Sequence, residues 1–183
     1  CCGLQWTQPK NEYVGGNINV AGNVGVKTTS PVAGIHVQDS SVLFQGTSGG
    51  VPVSGEGNRF MWLPYRRALR AGRVTGNQWD DGNIGYYSVG LGFDTLATHQ
   101  ASIAIGSSSE STAHGAVAIG SQVVASGSSS VALGHETTAS ETWSTAMGYQ
   151  TVASGIGATS MGLNTLASGQ DSTAMGRDTR ATD

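Results

Sequence analysis

Ser130-Val131-Ala132-Leu133-Gly134 is answered fourteen residues later by Ser144-Thr145-Ala146-Met147-Gly148, and the pattern holds from Ser88 to Asp183. Glycines stand at 92, 106, 120, 134, 148, 162 and 176. The residue before each is large and apolar: Leu91, Ile105, Ile119, Leu133, Met147, Met161 and Met175. The one before that is tiny: Gly90, Ala104, Ala118, Ala132, Ala146, Ser160 and Ala174. Five places after each glycine comes a second small column, Ala97, Ser111, Ala125, Ala139, Ala153, Ala167 and Ala181. No insertion or deletion breaks the register.

A period of fourteen residues is too short for repeats built from helix pairs. It is not a pair of heptads either, because glycine and β-branched residues fill sites that a coiled coil gives to Leu and Ala. The pattern predicts an all-β fold, a parallel β-solenoid with one coil per repeat. Each coil would carry two short strands, around Ser-Val-Ala-Ile-Gly and around Thr-x-Ala, joined by tight turns. Stacked ~4.8 Å apart, the coils would rise roughly 29 Å over the repeat region. Glycine closes the first strand because so sharp a turn needs a positive φ or a missing Cβ.

In Ser130–Gly134, Val131 and Leu133 point one way and Ala132 the other. Both faces are apolar, as in a strand covered on both sides. A solitary solenoid would be polar outside, so association about an axis along the stack is expected, with a closed cyclic assembly favoured over an open one. Either column can line the roll while the other meets partner chains. An Ala column facing outward would let a neighbouring backbone approach closely. The large apolar column, together with Ala104, Ala118, Ala132, Ala146 and Ala174, is therefore the expected core and interface set.

These Ser-Val-Ala-Leu-Gly and Ser-Thr-Ala-Met-Gly units, followed by Ala-Ser-Gly turns, resemble the head repeats of trimeric autotransporter adhesins over residues 88–183. The resemblance implies a left-handed parallel β-roll, intertwined as a homotrimer, displayed on a bacterial surface such as a Gram-negative outer membrane. It implies adhesion as the function, with surface glycans or matrix proteins as partners. Upstream, Gly25-Val26-Lys27-Thr28-Thr29-Ser30-Pro31 and then His36-Val37 look like a segment preceding head repeats in surface and tail-fibre proteins of Bacteroidetes. Similar repeats occur in phage tail fibres, so a phage or injection-system tail fibre is the alternative reading. The family's coiled-coil stalk and β-barrel anchor have no counterpart in this sequence, which places the expected membrane anchor outside it.

Charged residues make up only 11% of the chain and glycine numbers 28, a composition that suggests disorder until the strict period overrides it. A net charge of −3 offers no field for nucleic acid, and none is expected as a partner. No apolar run approaches the ~18 residues needed to span a bilayer. The chain begins at Cys1 and stops seven residues past Gly176, in mid-coil, so further sequence is expected to follow. Cys1 and Cys2 are adjacent, and a bridge between neighbours is strained. Interchain disulfides, a lipid-bearing Cys1 after signal cleavage, and two free thiols all fit; the interchain bridge is the expectation carried forward.

Four segments are expected: an arm over 1–15, a β-rich lead-in over 16–58, a cap over 59–87 and the roll over 88–183. Strands are expected at 16–20, 22–26, 34–37 and 41–44, and a glycine-rich loop at 47–58. The cap collects Phe60, Trp62, Tyr65, Trp79, Tyr86 and Tyr87 with Arg59, Arg66, Arg67, Arg70 and Arg73. Side chains this large do not fit a narrow roll, so they are expected to cover its first coil, whose edge would otherwise be open.

Within it, Arg59, Trp62, Tyr65, Arg66, Arg67, Arg70 and Trp79 form the candidate ligand or trimer-cap cluster. Arginine stacked on aromatic rings suits acidic glycans. The plainer reading pairs Arg66, Arg67 and Arg70 with Asp80, Asp81 or Asp94 across a trimer seam. His36, His99, His114 and His135 lack zinc spacing, and the aspartates lack a calcium-binding repeat, so neither metal nor cofactor is expected. No Gly-x-Ser-x-Gly elbow occurs, and no enzyme is expected. Thr137, Thr151, Thr165 and Thr179 share a column as in ice-binding solenoids. The second threonine rank is missing, so a structural ladder bonded along the stack is expected instead.

Overall fold

The computed structural model describes residues 20–182, and the protein divides into two units, Cys1–Phe44 and Gln45–Asp183. The expectations for the arm, for residues 16–19 and for Cys1 and Cys2 lie outside the described residues. In the first unit, β1 (Val24–Val26) and β2 (Ile35–Val37) pair in parallel, with Val24 opposite Ile35. Asn23 Nδ2, just before β1, donates at 3.2 Å to Pro31 O in the connection between the two strands. The strand expected at 41–44 does not form. Nothing among the described residues pairs with it, and Val42, Leu43 and Phe44 stay exposed.

The second unit opens with a hairpin of β3 (Gly57–Leu63) and β4 (Ala68–Val74), followed by a single 3-10 turn at Asp81–Asn83. Seven coils follow. Their five-residue strands are β5 (Val89–Phe93), β7 (Ile103–Ser107), β9 (Val117–Ser121), β11 (Val131–His135), β13 (Thr145–Tyr149), β15 (Thr159–Leu163) and β17 (Thr173–Arg177). Their two-residue strands are β6 (Leu96–Ala97), β8 (Glu110–Ser111), β10 (Val124–Ala125), β12 (Thr138–Ala139), β14 (Val152–Ala153), β16 (Leu166–Ala167) and β18 (Arg180–Ala181). The long strands stack into one parallel sheet that β4 extends in parallel and β3 in antiparallel; the short strands form a second sheet. The fold is an all-β parallel solenoid whose register steps by one repeat, Val131 lying between Val117 and Thr145.

Four columns of small side chains fill the space between the sheets. Ala104, Ala118, Ala132 and Ala146 face Ala125, Ala139 and Ala153 with no exposure, and Ser102, Ser130 and Ser144 join them. Of the two columns the sequence left open, the Ala column is therefore the inner one: a coil this flat has room inside only for Gly, Ala, Ser, Thr and one Val. Leu91, Ile105, Ile119, Leu133, Met147, Met161 and Met175 are on the opposite face of the same strands and are all partly or largely open to solvent.

The glycine column meets both conditions at once. Gly134 has φ 129°, and a Cβ on it would run into the carbonyl of Gly148 in the next coil. The corner itself comes two residues later. Asp94, Ser108, Gln122, Glu136, Gln150, Asn164 and Asp178 all take left-handed backbone, φ 49–55°. Neighbours along this corner share hydrogen bonds, Gln150 Nε2 to Glu136 Oε2 at 2.7 Å and Asn164 Nδ2 to Asp178 Oδ1 at 2.6 Å.

The threonine column points inward, with Thr95, Thr137 and Thr151 fully buried, so it offers no flat threonine face to ice. It is not a hydrogen-bonded ladder along the stack either. Thr165 Oγ1 bonds Ser160 Oγ within its own coil, and the Thr95, Thr137 and Thr151 hydroxyls find no partner. Elsewhere in this column Ser109 Oγ bonds Ile105 O and, in the next coil, Gly120 O, and Thr179 Oγ1 bonds Met175 O, so the hydroxyls are bonded at some coils and unpartnered at others.

Candidate functional site

The cap residues divide into three groups by where their strands send them. Trp79 and Arg70 go inward, where they close the open end of the short-strand sheet. Strand β6 has no strand before it, only an isolated parallel bridge from Ile84 to Ala97, so side chains complete its edge. Trp79 Nε1 donates to Thr95 O at 2.9 Å, and Arg70 Nη2 to Ala97 O at 2.9 Å. Gly85 N also donates to Ala97 O, at 3.0 Å. Side chains thus take the place of a neighbouring strand.

Arg70 is fully buried without a carboxylate partner. Its guanidinium donates to Leu69 O, Ser88 O, Ser88 Oγ and Ala97 O at 2.8–3.2 Å. Burial, and then the nearby charge of Arg66, lowers its pKa to about 10, so it stays charged at neutral pH. In the register Arg70 stands opposite Gly90, one step before Ala104. A Cβ at Gly90 would press on Arg70 Cδ at 2.8 Å, which explains why this coil departs from alanine. Met61, Leu63, Ala68, Val74, Trp79 and Ile84 form a separate apolar core above it.

Phe60 and Trp62 go outward. Trp62 is opposite Leu69, which is opposite Val89, and Phe60, Ala71 and Leu91 align likewise. The cap therefore prolongs the two outward apolar columns of the roll instead of interrupting them. Covering such a side chain completely contributes about 1.5–3 kcal/mol, against far less for each interior alanine. The roll has its large apolar side chains on its outside.

Arg59 stands in β3 beside the preceding loop, and Arg66 and Arg67 lie in the β3–β4 turn. Arg59 holds the turn at 53–56 together by donating to the carbonyls of Val53, Ser54, Gly55 and Glu56. Arg66 pairs with Asp81 at 2.9 Å within the same chain and donates to Ile84 O at 2.7 Å. Within the chain, Asp81 is the one of the three expected carboxylates that meets an arginine of this set. Asp80 accepts from Gly55 N and Asp94 from Thr75 N and Oγ1, so neither meets an arginine. Arg67 is exposed and lies over the Tyr87 ring at 5.3 Å. Tyr86 and Tyr87 complete a corner with Tyr65, Arg66 and Arg67; the sequence had them in the cap but did not single them out for the site. Their signal was the adjacency of two tyrosines immediately before the first repeat.

Among the described residues no three His, Cys, Asp or Glu side chains converge as a metal site. No helix among them is long and apolar enough to cross a membrane.

The family model described as the YadA head domain repeat matches residues 84–109, 97–122, 125–151, 142–165 and 167–183. Comparisons with curated proteins and with solved structures gave no match. The matched stretches are the stacked coils themselves and cover more than half of the chain, with small residues inside and the glycine column between neighbouring coils. On that coverage and that geometry, the protein belongs to the YadA head domain repeat family.

Proposed function

We propose that the chain is the head of a homotrimeric surface fibre that attaches a bacterium to host, cell or matrix surfaces. One observation carries the proposal: the roll keeps only small side chains inside and turns Leu91, Ile105, Ile119, Leu133, Met147, Met161 and Met175 outward. A single chain leaves that stripe in water, whereas three chains about an axis along the stack cover it mutually. The outward continuation through Phe60 and Trp62 supports including the cap in the same contact. Family membership supports display outside the cell and an adhesive role. Interchain bridges at Cys1 and Cys2 would lock the N-termini of such a trimer, and denaturing electrophoresis with and without reductant reads them directly.

Light scattering on the native protein tests the assembly, with three times the chain mass expected and a lone chain rejecting it. Beads coated with the protein test the function. They are expected to bind cells or matrix-coated surfaces above a level set by uncoated beads, and equal binding rejects the adhesive reading. A phage or injection-system fibre would share the trimer and fail the second experiment.

A further inference from the structure

Beyond the stacked coils, one corner of the cap presents chemistry that neither the fold nor the association face uses. Tyr65, Arg66 and Arg67 lie in the β3–β4 turn, and Tyr86 and Tyr87 lead into β5; Tyr87 N donates to Arg66 O at 2.8 Å and joins the two segments. Arg66 is committed, holding Asp81 through Nε and Nη2 and crossing the Tyr86 ring at 5.5 Å. That pair cancels its own charge. Arg67 is different. It has no carboxylate partner among the described residues, and it is held by Tyr87 alone, through the ring and a 3.2 Å bond from Nη1 to the phenol oxygen. Most of its five N–H donors remain open to solvent.

The aromatic side of the corner is equally open. Tyr65 and Tyr87 are 52% and 50% exposed, and Tyr65 meets Tyr86 edge-on at 5.7 Å. Tyr86 has its pKa raised, chiefly by the Tyr65 hydroxyl and then by burial, so it remains a neutral hydroxyl at neutral pH. Arg67 and Tyr87 both hold left-handed backbone, φ 54° and 59°, a conformation that bulky residues rarely take. In the coils below, the Tyr87 position is filled by Ala101, Gly115, Ser129, Trp143, Gly157 and Asp171. Nothing in the fold requires a tyrosine there. The neighbouring corner positions are Gln100, His114, Ser128, Thr142, Ile156 and Gln170, a mostly polar row unlike the apolar strand faces. Covering the apolar faces therefore does not require covering this corner.

We propose that this corner binds an acidic glycan. A carboxylate or sulfate accepts from the free Arg67 donors, a sugar ring lies on the face of Tyr65 or Tyr87, and the phenols bond sugar hydroxyls. One arginine makes a weak site, and three copies on a trimer make a useful one through avidity; the strength, though not the chemistry, rests on the fibre reading.

The test immobilises hyaluronan (carboxylate only), dextran sulfate (sulfate only) and neutral dextran, and measures retention of the full chain at low salt. Arg67→Gln and Tyr87→Gly are compared with Arg177→Gln, which removes the same charge at an exposed position in the last coil. Tyr87→Gly relaxes the left-handed backbone, so loss of binding there is not loss of fold, and circular dichroism is recorded on every variant. Retention on one or both acidic polymers is expected, falling about tenfold in Arg67→Gln and Tyr87→Gly and less than about twofold in Arg177→Gln. Which polymer is retained identifies carboxylate or sulfate as the bound group. Equal loss in Arg177→Gln, equal retention on neutral dextran, or no retention at all overturns the proposal. Light scattering on the same samples separates the outcomes: a trimer that ignores acidic glycans rejects the site alone, and a monomer rejects the fibre reading.

Discussion

Gly90 and Arg70 show how one residue's identity depends on another across the register. Every other coil has Ala or Ser at the Gly90 position, and only this one lies against a buried guanidinium. Gly90→Ala is expected to cost about 1–3 kcal/mol by overpacking. Arg70→Ala removes hydrogen bonds to a charged donor and opens space, costing roughly 2–3 kcal/mol. The double variant restores a plain alanine column, so its cost should fall below the sum by about 0.5–3 kcal/mol. Thermal unfolding of the four proteins measures this, and strict additivity would show that the two side chains do not compete for the same space.

At the scale of the strand, inward and outward positions alternate with opposite demands. Ala132 is fully buried within β11, and Glu136 sits on the exposed corner just beyond it. Ala132→Arg leaves an unpaired charge inside the roll and should cost several kcal/mol, of order 3–5. Glu136→Arg should stay within about 0.5 kcal/mol, apart from the lost bond to Gln150. Similar unfolding temperatures for the two variants would mean the faces are misassigned. The threonine column allows the opposite kind of change. Thr137 buries a hydroxyl without a partner, and Val123 already fills the equivalent place one coil earlier. Thr137→Val is therefore expected to stabilise by roughly 0.5–1.5 kcal/mol, read as a raised midpoint of unfolding. A lowered midpoint would mean that the hydroxyl has a bonding partner.

For the whole molecule, the outward stripe sets what should happen when association is blocked. Leu133→Asp with Met147→Asp places two carboxylates on the stripe while leaving the interior columns untouched. Light scattering should shift from the proposed trimer to the single chain. Circular dichroism should keep its β signal at low temperature, because the sheet hydrogen bonds and small-residue interior remain. The unfolding midpoint should fall, since each uncovered large side chain gives up about 1.5–3 kcal/mol of burial. A variant that remains trimeric would place the contact on another face. The cap matters at this scale too, because Trp79 and Arg70 end the short-strand sheet at β6 with side-chain donors, where another chain could otherwise extend it.

Period, coil count and the strand positions of the roll were legible in the chain itself, because a stacked fold repeats the same local demands at a fixed interval, whereas the strand expected at 41–44, outside the repeats, did not form. Leu133, Gly134 and Ala139 each recur for a reason that a single coil already contains. The inside and outside of the roll were not legible, since alternation along β11 separates Val131 and Leu133 from Ala132 without saying which side is narrow. Only the closing of the second sheet over the first decided that, by leaving room for alanine and none for leucine. Tertiary structure also divided the arginines. Arg66, Arg67 and Arg70 are near neighbours in sequence, yet one is paired, one is open to solvent and one is buried against backbone carbonyls. A guanidinium's role follows from the acceptors around it, and apart from Leu69 O those arrive from residues 81 to 97, beyond the reach of any local pattern.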